Sequence, residues 1–137
     1  MNVKSPKLTA FALCLAMVGL FLSKAMASDM IPRISKEELK VLIDYTDVTI
    51  LDVRTDKDWK SSEFKIKGAV KEDPGAFKSW ANGYPKNQTI ILYCACPNEA
   101  TSISLAKQLM EKGYTKVYAL KEGWTKWLKA KYPVAKK

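Results

Sequence analysis

A cysteine stands where a strongly apolar segment ends and an amphipathic one begins. The apolar run Ile90–Tyr93 leads directly into Cys94, and a helical pattern starts a few residues later. A thiol between the carboxyl end of a strand and the amino end of a helix faces unpaired backbone N–H groups and the positive end of the helix dipole, and both favour a thiolate. Cys94 is therefore the candidate nucleophile, and the amides of residues 95–100 are the candidate groups that hold its sulfur.

The sequence contains no histidine. This excludes Cys-His and Ser-His nucleophile pairs, zinc sites that use histidine, and haem ligation by histidine. Any activation of Cys94 must come from backbone dipoles and nearby cations. Two thiolates without further ligands do not make a zinc site, so we expect neither a metal nor another cofactor.

The amino-terminal segment has the pattern of a signal peptide over residues 1–27. A basic start is followed by an apolar run over 8–22 and by small residues at 25 and 27, after which a signal peptidase would cut. We expect cleavage to leave one domain over 28–137, periplasmic or secreted, with no stable membrane insertion. A retained anchor is the alternative, because the apolar run is only slightly shorter than the roughly 17–25 residues that a membrane span needs.

The whole chain carries a formal net charge of +9. Its lysines are spread along the sequence without runs interleaved with aromatic residues, so we expect small anions as ligands, no nucleic acid, and a monomer. Only Cys94 and Cys96 remain after removal of the signal. Free thiols are unusual in an oxidising compartment, so two cysteines in one loop indicate redox or sulfur-transfer chemistry.

Strand and helix patterns alternate along the rest of the chain. The pattern therefore predicts an α/β fold with a mostly parallel sheet. A capping box of Ser35 and Glu38 marks the first helix, and Gly113 marks the end of the helix after the cysteine loop. The predicted strands are 48–53, 66–70, 89–93 and 117–120, and the predicted helices are 36–45, 56–62, 74–81, one ending at Gly113, and one carrying Trp124 and Trp127.

Ligands of parallel sheets bind beyond the carboxyl ends of the strands. Asp52 and Arg54 follow one predicted strand and Cys94 follows another, so they share one edge of the sheet if those strands are neighbours. Asp52 and Arg54 have two interpretations. They are a structural pair, which is the more frequent case, or Arg54 binds a sulfonate or sulfate oxygen of the substrate.

Four segments in this order resemble motifs of rhodanese-like domains. They are Leu51–Arg54, Ile66–Ala69, the cysteine at the end of its strand, and Leu120–Trp124. The resemblance implies a five-stranded parallel sheet with helices on both faces. It also implies a sulfurtransferase, whose cysteine takes a sulfane sulfur from an anionic donor such as thiosulfate or a persulfide, becomes a persulfide itself, and passes the sulfur to a thiol or cyanide.

The loop departs from the family pattern, which is Cys-x-x-Gly-x-Arg. Here Pro97 lacks an N–H, and Glu99 replaces a cation. An inward Glu99 would oppose a thiolate, whereas an outward one would be a favourable acid in the first turn of the helix. The departure predicts a subtype with a different substrate. The other residues predicted to line the site are Ala95, Cys96, Asn98 and Ala100.

Cys96 has two interpretations, structural or resolving. As a resolving thiol it would attack a persulfide on Cys94, release the sulfur and leave a disulfide within the loop. Two further functions therefore remain open beside sulfur transfer. One is thiol–disulfide exchange through both cysteines, and the other is a binding module, either inert or holding a soft ion such as Cu(I).

Overall fold

The computed structural model describes residues 30–137, and residues Ile31–Lys137 form its folded unit. The predicted signal peptide and its cleavage site lie outside the described residues. Within residues 30–137, every helix is too short or too polar to cross a bilayer.

A five-stranded parallel sheet forms the centre of the fold. Its strand order is β1-β6-β5-β2-β4, and a separate antiparallel pair joins β3 to β7. Strand β5 is the middle strand and is almost wholly buried, as its continuous apolar sequence predicts. The strands are β1 (Arg33–Ile34), β2 (Val48–Asp52), β3 (Phe64–Ile66), β4 (Val70–Lys71), β5 (Thr89–Tyr93), β6 (Val117–Leu120) and β7 (Val134–Lys136).

Helices cover both faces of this sheet, so the described residues have two apolar layers. One layer packs the sheet against α3 and α4 through residues such as Trp80, Leu105 and Leu109, and the other packs it against α1 and α5 through Leu39 and Trp127. This architecture confirms the predicted α/β fold. The helices are α1 (Lys36–Leu42), α2 (Asp56–Lys60), α3 (Phe77–Trp80), α4 (Ala100–Glu111) and α5 (Gly123–Lys129), with 3₁₀ turns at Pro74–Ala76 and Pro97–Glu99.

The capping residues predicted for two helices are present, one set at the start of α1 and one residue after the end of α4. Ser35 accepts from the Glu38 amide, and the Glu38 carboxylate accepts from the Ser35 amide, which completes the capping box. Helix α1 ends earlier than predicted, at Leu42. Gly113 follows α4 with φ +96°, a conformation that glycine adopts without a Cβ penalty.

The segment around Gly68 differs from the prediction. The single strand expected over 66–70 is two strands, β3 and β4, separated by Gly68 at φ +78°. Strand β3 pairs with β7, near the carboxyl terminus, and not with the central sheet. No strand was predicted at Val134–Lys136, because three residues after a proline carry too little pattern.

Candidate active site

Cys94 follows the middle strand at the edge of the sheet where ligands are expected. Strands β2 and β5 are parallel neighbours, and their register places Asp52 opposite Tyr93. The strand ends that carry Asp52, Arg54 and Cys94 therefore lie side by side, as predicted for neighbouring strands.

The two cysteines of the loop form a disulfide. Cys94 and Cys96 are bonded through their sulfurs, with their Cα atoms 5.5 Å apart. Cys96 has an extended backbone (φ −81°, ψ 152°), which is the conformation that the following Pro97 favours. Cys94 is only 2% exposed, whereas Cys96 is half-buried. The structure is thus the oxidised form of the loop, in which Cys94 is closed to an external sulfur donor.

The amide contacts of the loop differ from those expected over residues 95–100. The Ala100 amide donates to the Pro97 carbonyl, so it is used within the 3₁₀ turn and does not serve a sulfur. The amide that does reach a sulfur belongs to Thr101, and it lies 3.4 Å from Sγ of Cys96, not of Cys94. The disulfide explains this, because it places the half-buried sulfur of Cys96 over the first turn of α4.

The turn between the disulfide and α4 contains two consecutive left-handed residues. Asn98 has φ +53° and Glu99 has φ +54°. Asparagine tolerates this region, but glutamate rarely adopts it. The conformation of Glu99 is therefore maintained by contacts of its side chain.

The Glu99 side chain is buried, so the outward orientation considered from the sequence is wrong. It is 6% exposed, and its Oε1 accepts a hydrogen bond from the Glu122 amide at 2.8 Å. Its other oxygen lies 3.9 Å from Nη2 of Arg33. The carboxylate therefore ties the cysteine loop to the segment before α5, and its charge is partly balanced there.

Ser102 was not predicted as a site residue. Its buried hydroxyl lies 3.7 Å from Sγ of Cys94 and donates to the Glu99 carbonyl at 3.0 Å. This places a polar side chain directly beside that sulfur. The sequence did carry one signal for Ser102. The residue lies in the first turn of the helix after the loop, where side chains can point back towards the end of the strand.

The start of α5 packs directly on the backbone of the cysteine. The Trp124 amide donates to the Cys94 carbonyl at 3.0 Å. Glu122 and Gly123 both have positive φ, +63° and +55°. A Cβ on Gly123 would lie 2.3 Å from the Cys94 carbonyl oxygen, so only glycine permits this approach. The Gly-Trp motif near the end of the chain thus belongs structurally to the cysteine site.

Asp52 and Arg54 form a fully enclosed ion pair. Nε and Nη2 of Arg54 donate to the Asp52 carboxylate, with Nη2 2.6 Å from Oδ2, and both side chains are 0% exposed. The guanidinium also lies 4.3 Å from the ring centre of Trp124 and donates to the Phe64 carbonyl. This geometry corresponds to the structural interpretation of the pair, because the guanidinium is fully enclosed and donates to groups of the protein itself.

The Tyr93 hydroxyl completes this buried cluster. It donates to Oδ2 of Asp52 and accepts from the Ile66 amide at 3.1 Å. Burial, together with the nearby Asp52 carboxylate, raises the pKa of Tyr93 above its usual range. The hydroxyl therefore stays protonated and links β5, β2 and β3.

Residues 30–137 contain no cluster of three or more histidine, cysteine or acidic side chains that would hold a metal ion. The groups that the described site offers for chemistry are its two sulfurs, the backbone dipoles of α4 and the adjacent hydroxyl of Ser102.

The chain belongs to the rhodanese-like domain family, whose pattern matches residues 35–130. It is similar to the thiosulfate sulfurtransferase GlpE of Coxiella burnetii, with 28% identity over 77% of this chain and 94% of that protein. Many solved structures share the fold. The rhodanese-like domain of Anabaena Alr3790 has a TM-score of 0.65 at 22% identity and covers 79% of this chain and 81% of its own. A human single-domain sulfurtransferase has a TM-score of 0.62 at 16% identity and covers 73% and 97%.

Proposed function

We propose that the reduced protein is a sulfurtransferase that carries a sulfane sulfur as a persulfide on Cys94. The observation that carries this proposal is the place of Cys94, at the end of the middle strand and before α4 in a rhodanese-like fold. The similarity to a thiosulfate sulfurtransferase supports the same chemistry. The donor is a small anion such as thiosulfate or a persulfide, and the acceptor is a thiol or cyanide.

The transfer begins only after the disulfide is opened. The Cys94 thiolate then attacks the outer sulfur of thiosulfate, a new S–S bond forms on Cys94, and sulfite leaves with the electron pair of the broken S–S bond. The amino end of α4, twelve residues long, favours negative charge on the sulfurs of the loop. Glu99 does not oppose that charge fully, because its carboxylate is held by the Glu122 amide and Arg33.

Thiol–disulfide exchange is the second candidate function. It is favoured by one observation, the bond between Cys94 and Cys96. An exchange protein needs a reversible dithiol and no sulfur donor, whereas a sulfurtransferase needs only one thiol to form the persulfide.

Intact-mass measurement distinguishes the two functions. The protein is reduced, freed of reductant, and treated with thiosulfate in the absence of oxygen. For the Cys96→Ser variant we expect a gain of one sulfur atom, which the Cys94→Ser variant does not show. A Cys96→Ser protein that gains no sulfur would contradict sulfur transfer. A wild type that loses two hydrogens to an added disulfide such as oxidised glutathione, and regains them with a dithiol, would then support exchange.

We further propose that residues 1–27 are removed on export and that the domain acts as a monomer in the periplasm or outside the cell. The support is the sequence pattern of residues 1–27, with alanine at both 25 and 27 before the expected cut. The mass of the protein recovered from the periplasmic fraction of an expressing bacterium should correspond to a chain that begins at Ser28. A full-length chain retained in the membrane fraction would instead indicate an anchor.

A further inference from the structure

The loop contains a second sulfur that sulfur transfer by Cys94 does not require. Cys96 lies within bonding distance of Cys94, which the disulfide itself demonstrates, and Pro97 favours the extended backbone that turns it there. Resting on the proposed function, we propose that Cys96 is the resolving thiol of this domain. It attacks the Cys94 persulfide, releases hydrosulfide, and makes a dithiol reductant the final reaction partner.

The step is balanced without any additional oxidant. The Cys96 thiol gives up its proton and attacks the inner sulfur of the persulfide, which is the sulfur of Cys94. The bond between the inner and outer sulfurs breaks, and the outer sulfur leaves with the electron pair as hydrosulfide, taking the proton. The persulfide sulfur is thereby reduced, and the two cysteines are oxidised to the disulfide seen in the structure.

The surroundings of Cys96 suit an attacking thiolate. The Thr101 amide lies 3.4 Å from its sulfur, in the first turn of the long helix α4. An N–H donor and the helix dipole both stabilise the thiolate, which is the nucleophilic form. Because the thiol is on the same short loop, it reacts intramolecularly, and well-oriented intramolecular groups reach effective concentrations of about 10⁵ M or more. Attack by Cys96 therefore competes with transfer of the sulfur to an external thiol or cyanide.

The difference in exposure indicates where the loop is reduced again. Cys94 is 2% exposed and Cys96 is half-buried, so an incoming thiol reaches the sulfur of Cys96 first. That attack forms a mixed disulfide on Cys96 and frees Cys94 as the leaving thiolate. The second thiol of a dithiol reductant then resolves the mixed disulfide, and both cysteines are reduced for another cycle.

A single-turnover experiment without any added thiol tests this inference. The reduced wild type and the Cys96→Ser variant are treated anaerobically with thiosulfate. Hydrosulfide is measured in the reaction mixture, and the intact mass is measured after desalting. For the wild type we expect one hydrosulfide per chain and the loss of two hydrogens. For Cys96→Ser we expect a retained sulfur atom and loss of the hydrosulfide signal until a thiol is added.

The outcomes separate the inference from the proposed function. If both proteins retain the sulfur and neither releases hydrosulfide, Cys96 is not a resolving thiol and the sulfurtransferase proposal stands. If Cys96→Ser gains no sulfur at all, the proposed function fails and the inference fails with it. The Cys94→Ser variant is the control, because it should neither gain sulfur nor release hydrosulfide.

Discussion

The buried pair of Asp52 and Arg54 and the exposed pair of Asp56 and Lys60 have nearly the same shortest N–O distance, 2.6 Å. Their surroundings differ completely, because the first pair is enclosed and the second is mostly in water. Removing one partner of an enclosed pair leaves an uncompensated charge in the interior, whereas water solvates the remaining partner of an exposed pair.

We therefore expect Arg54→Met to lower the free energy of unfolding by about 3–5 kcal/mol, because Asp52 is left without its guanidinium. Lys60→Ala is the matched control and should leave the urea midpoint unchanged. Urea unfolding of the reduced proteins, followed by circular dichroism, measures both. Equal midpoints for the two variants would contradict the structural role of Arg54.

Glu99 provides a second test at the residue scale. In Glu99→Ala the part-buried Glu122 amide loses its acceptor at 2.8 Å, and an unsatisfied donor costs up to about 1–3 kcal/mol when it is shielded from water. The exposed Glu111, at the end of α4, is the control for removing a carboxylate. We expect a lower urea midpoint for Glu99→Ala and no shift for Glu111→Ala. A midpoint equal to that of the control would show that the contact with Glu122 does not stabilise the loop.

The sequence predicted the place of Cys94, because a local pattern of strand, thiol and helix carries that information. It did not predict the partners of Glu99. The Glu122 amide is 23 residues away along the chain, and only the completed fold brings it to the loop. The same holds for Ser102, whose hydroxyl approaches the Cys94 sulfur because α4 starts immediately after the turn.

At the scale of elements, the cysteine loop and α5 meet at Gly123. In Gly123→Ala, the new methyl group would lie 2.3 Å from the Cys94 carbonyl oxygen, and φ is +55°. Gly113 also has a positive φ, +96°, but a Cβ there meets no atom within 4 Å. Gly113→Ala therefore carries only the backbone strain of about 1–2 kcal/mol, and Gly123→Ala carries a steric clash in addition.

We expect both alanine variants to be less stable than the wild type and Gly123→Ala to be clearly the less stable of the two. Only Gly123→Ala should also slow sulfur loading of Cys94, because its clash moves the backbone of that cysteine. Urea midpoints and the rate of mass gain measure the two effects. Equal loading rates in both variants would contradict the coupling of α5 to the site.

The central strands were predicted well because their apolar runs are continuous. Strand β5 has the predicted bounds, 89–93, and so does β6, 117–120. Strands β1 and β7 were missed because two or three residues show no periodicity, and their pairing partners, β6 and β3, lie far along the chain. Helices α1 and α2 ended earlier than predicted, at Leu42 and Lys60, since helix ends depend on local caps.

At the scale of the whole molecule, the buried Tyr93 hydroxyl makes stability depend on alkaline pH. Its pKa in the fold is raised by burial and by Asp52, while an unfolded tyrosine ionises near pH 10. Above about pH 10 the unfolded chain loses a proton that the folded chain retains. The stabilisation is therefore complete below that pH and declines above it, by up to about 1.4 kcal/mol per pH unit for one group.

The free energy of unfolding, measured by urea titration between about pH 8 and pH 11, tests this dependence. Tyr93→Phe should be less stable throughout, because it loses the hydroxyl contacts with Asp52 and Ile66, but its stability should decline less steeply above about pH 10. In Tyr93→Phe we expect part of the decline in the free energy of unfolding with pH to remain because of Tyr84. The pKa of Tyr84 is also raised, mainly by burial and further by its hydrogen bond to Glu72. The same slope in Tyr93→Phe and wild type would contradict this account.

Trp124 should report the oxidation state of the cysteine loop through its fluorescence, because its amide donates to the Cys94 carbonyl. The indole of Trp124 stacks on Tyr93, the residue before Cys94, at 6.1 Å between ring centres. Opening the disulfide changes the surroundings of this fluorophore, so its emission should report each reduction in real time and without a label. Among the four tryptophans of the chain, substitution of Trp124 by phenylalanine should remove most of that signal.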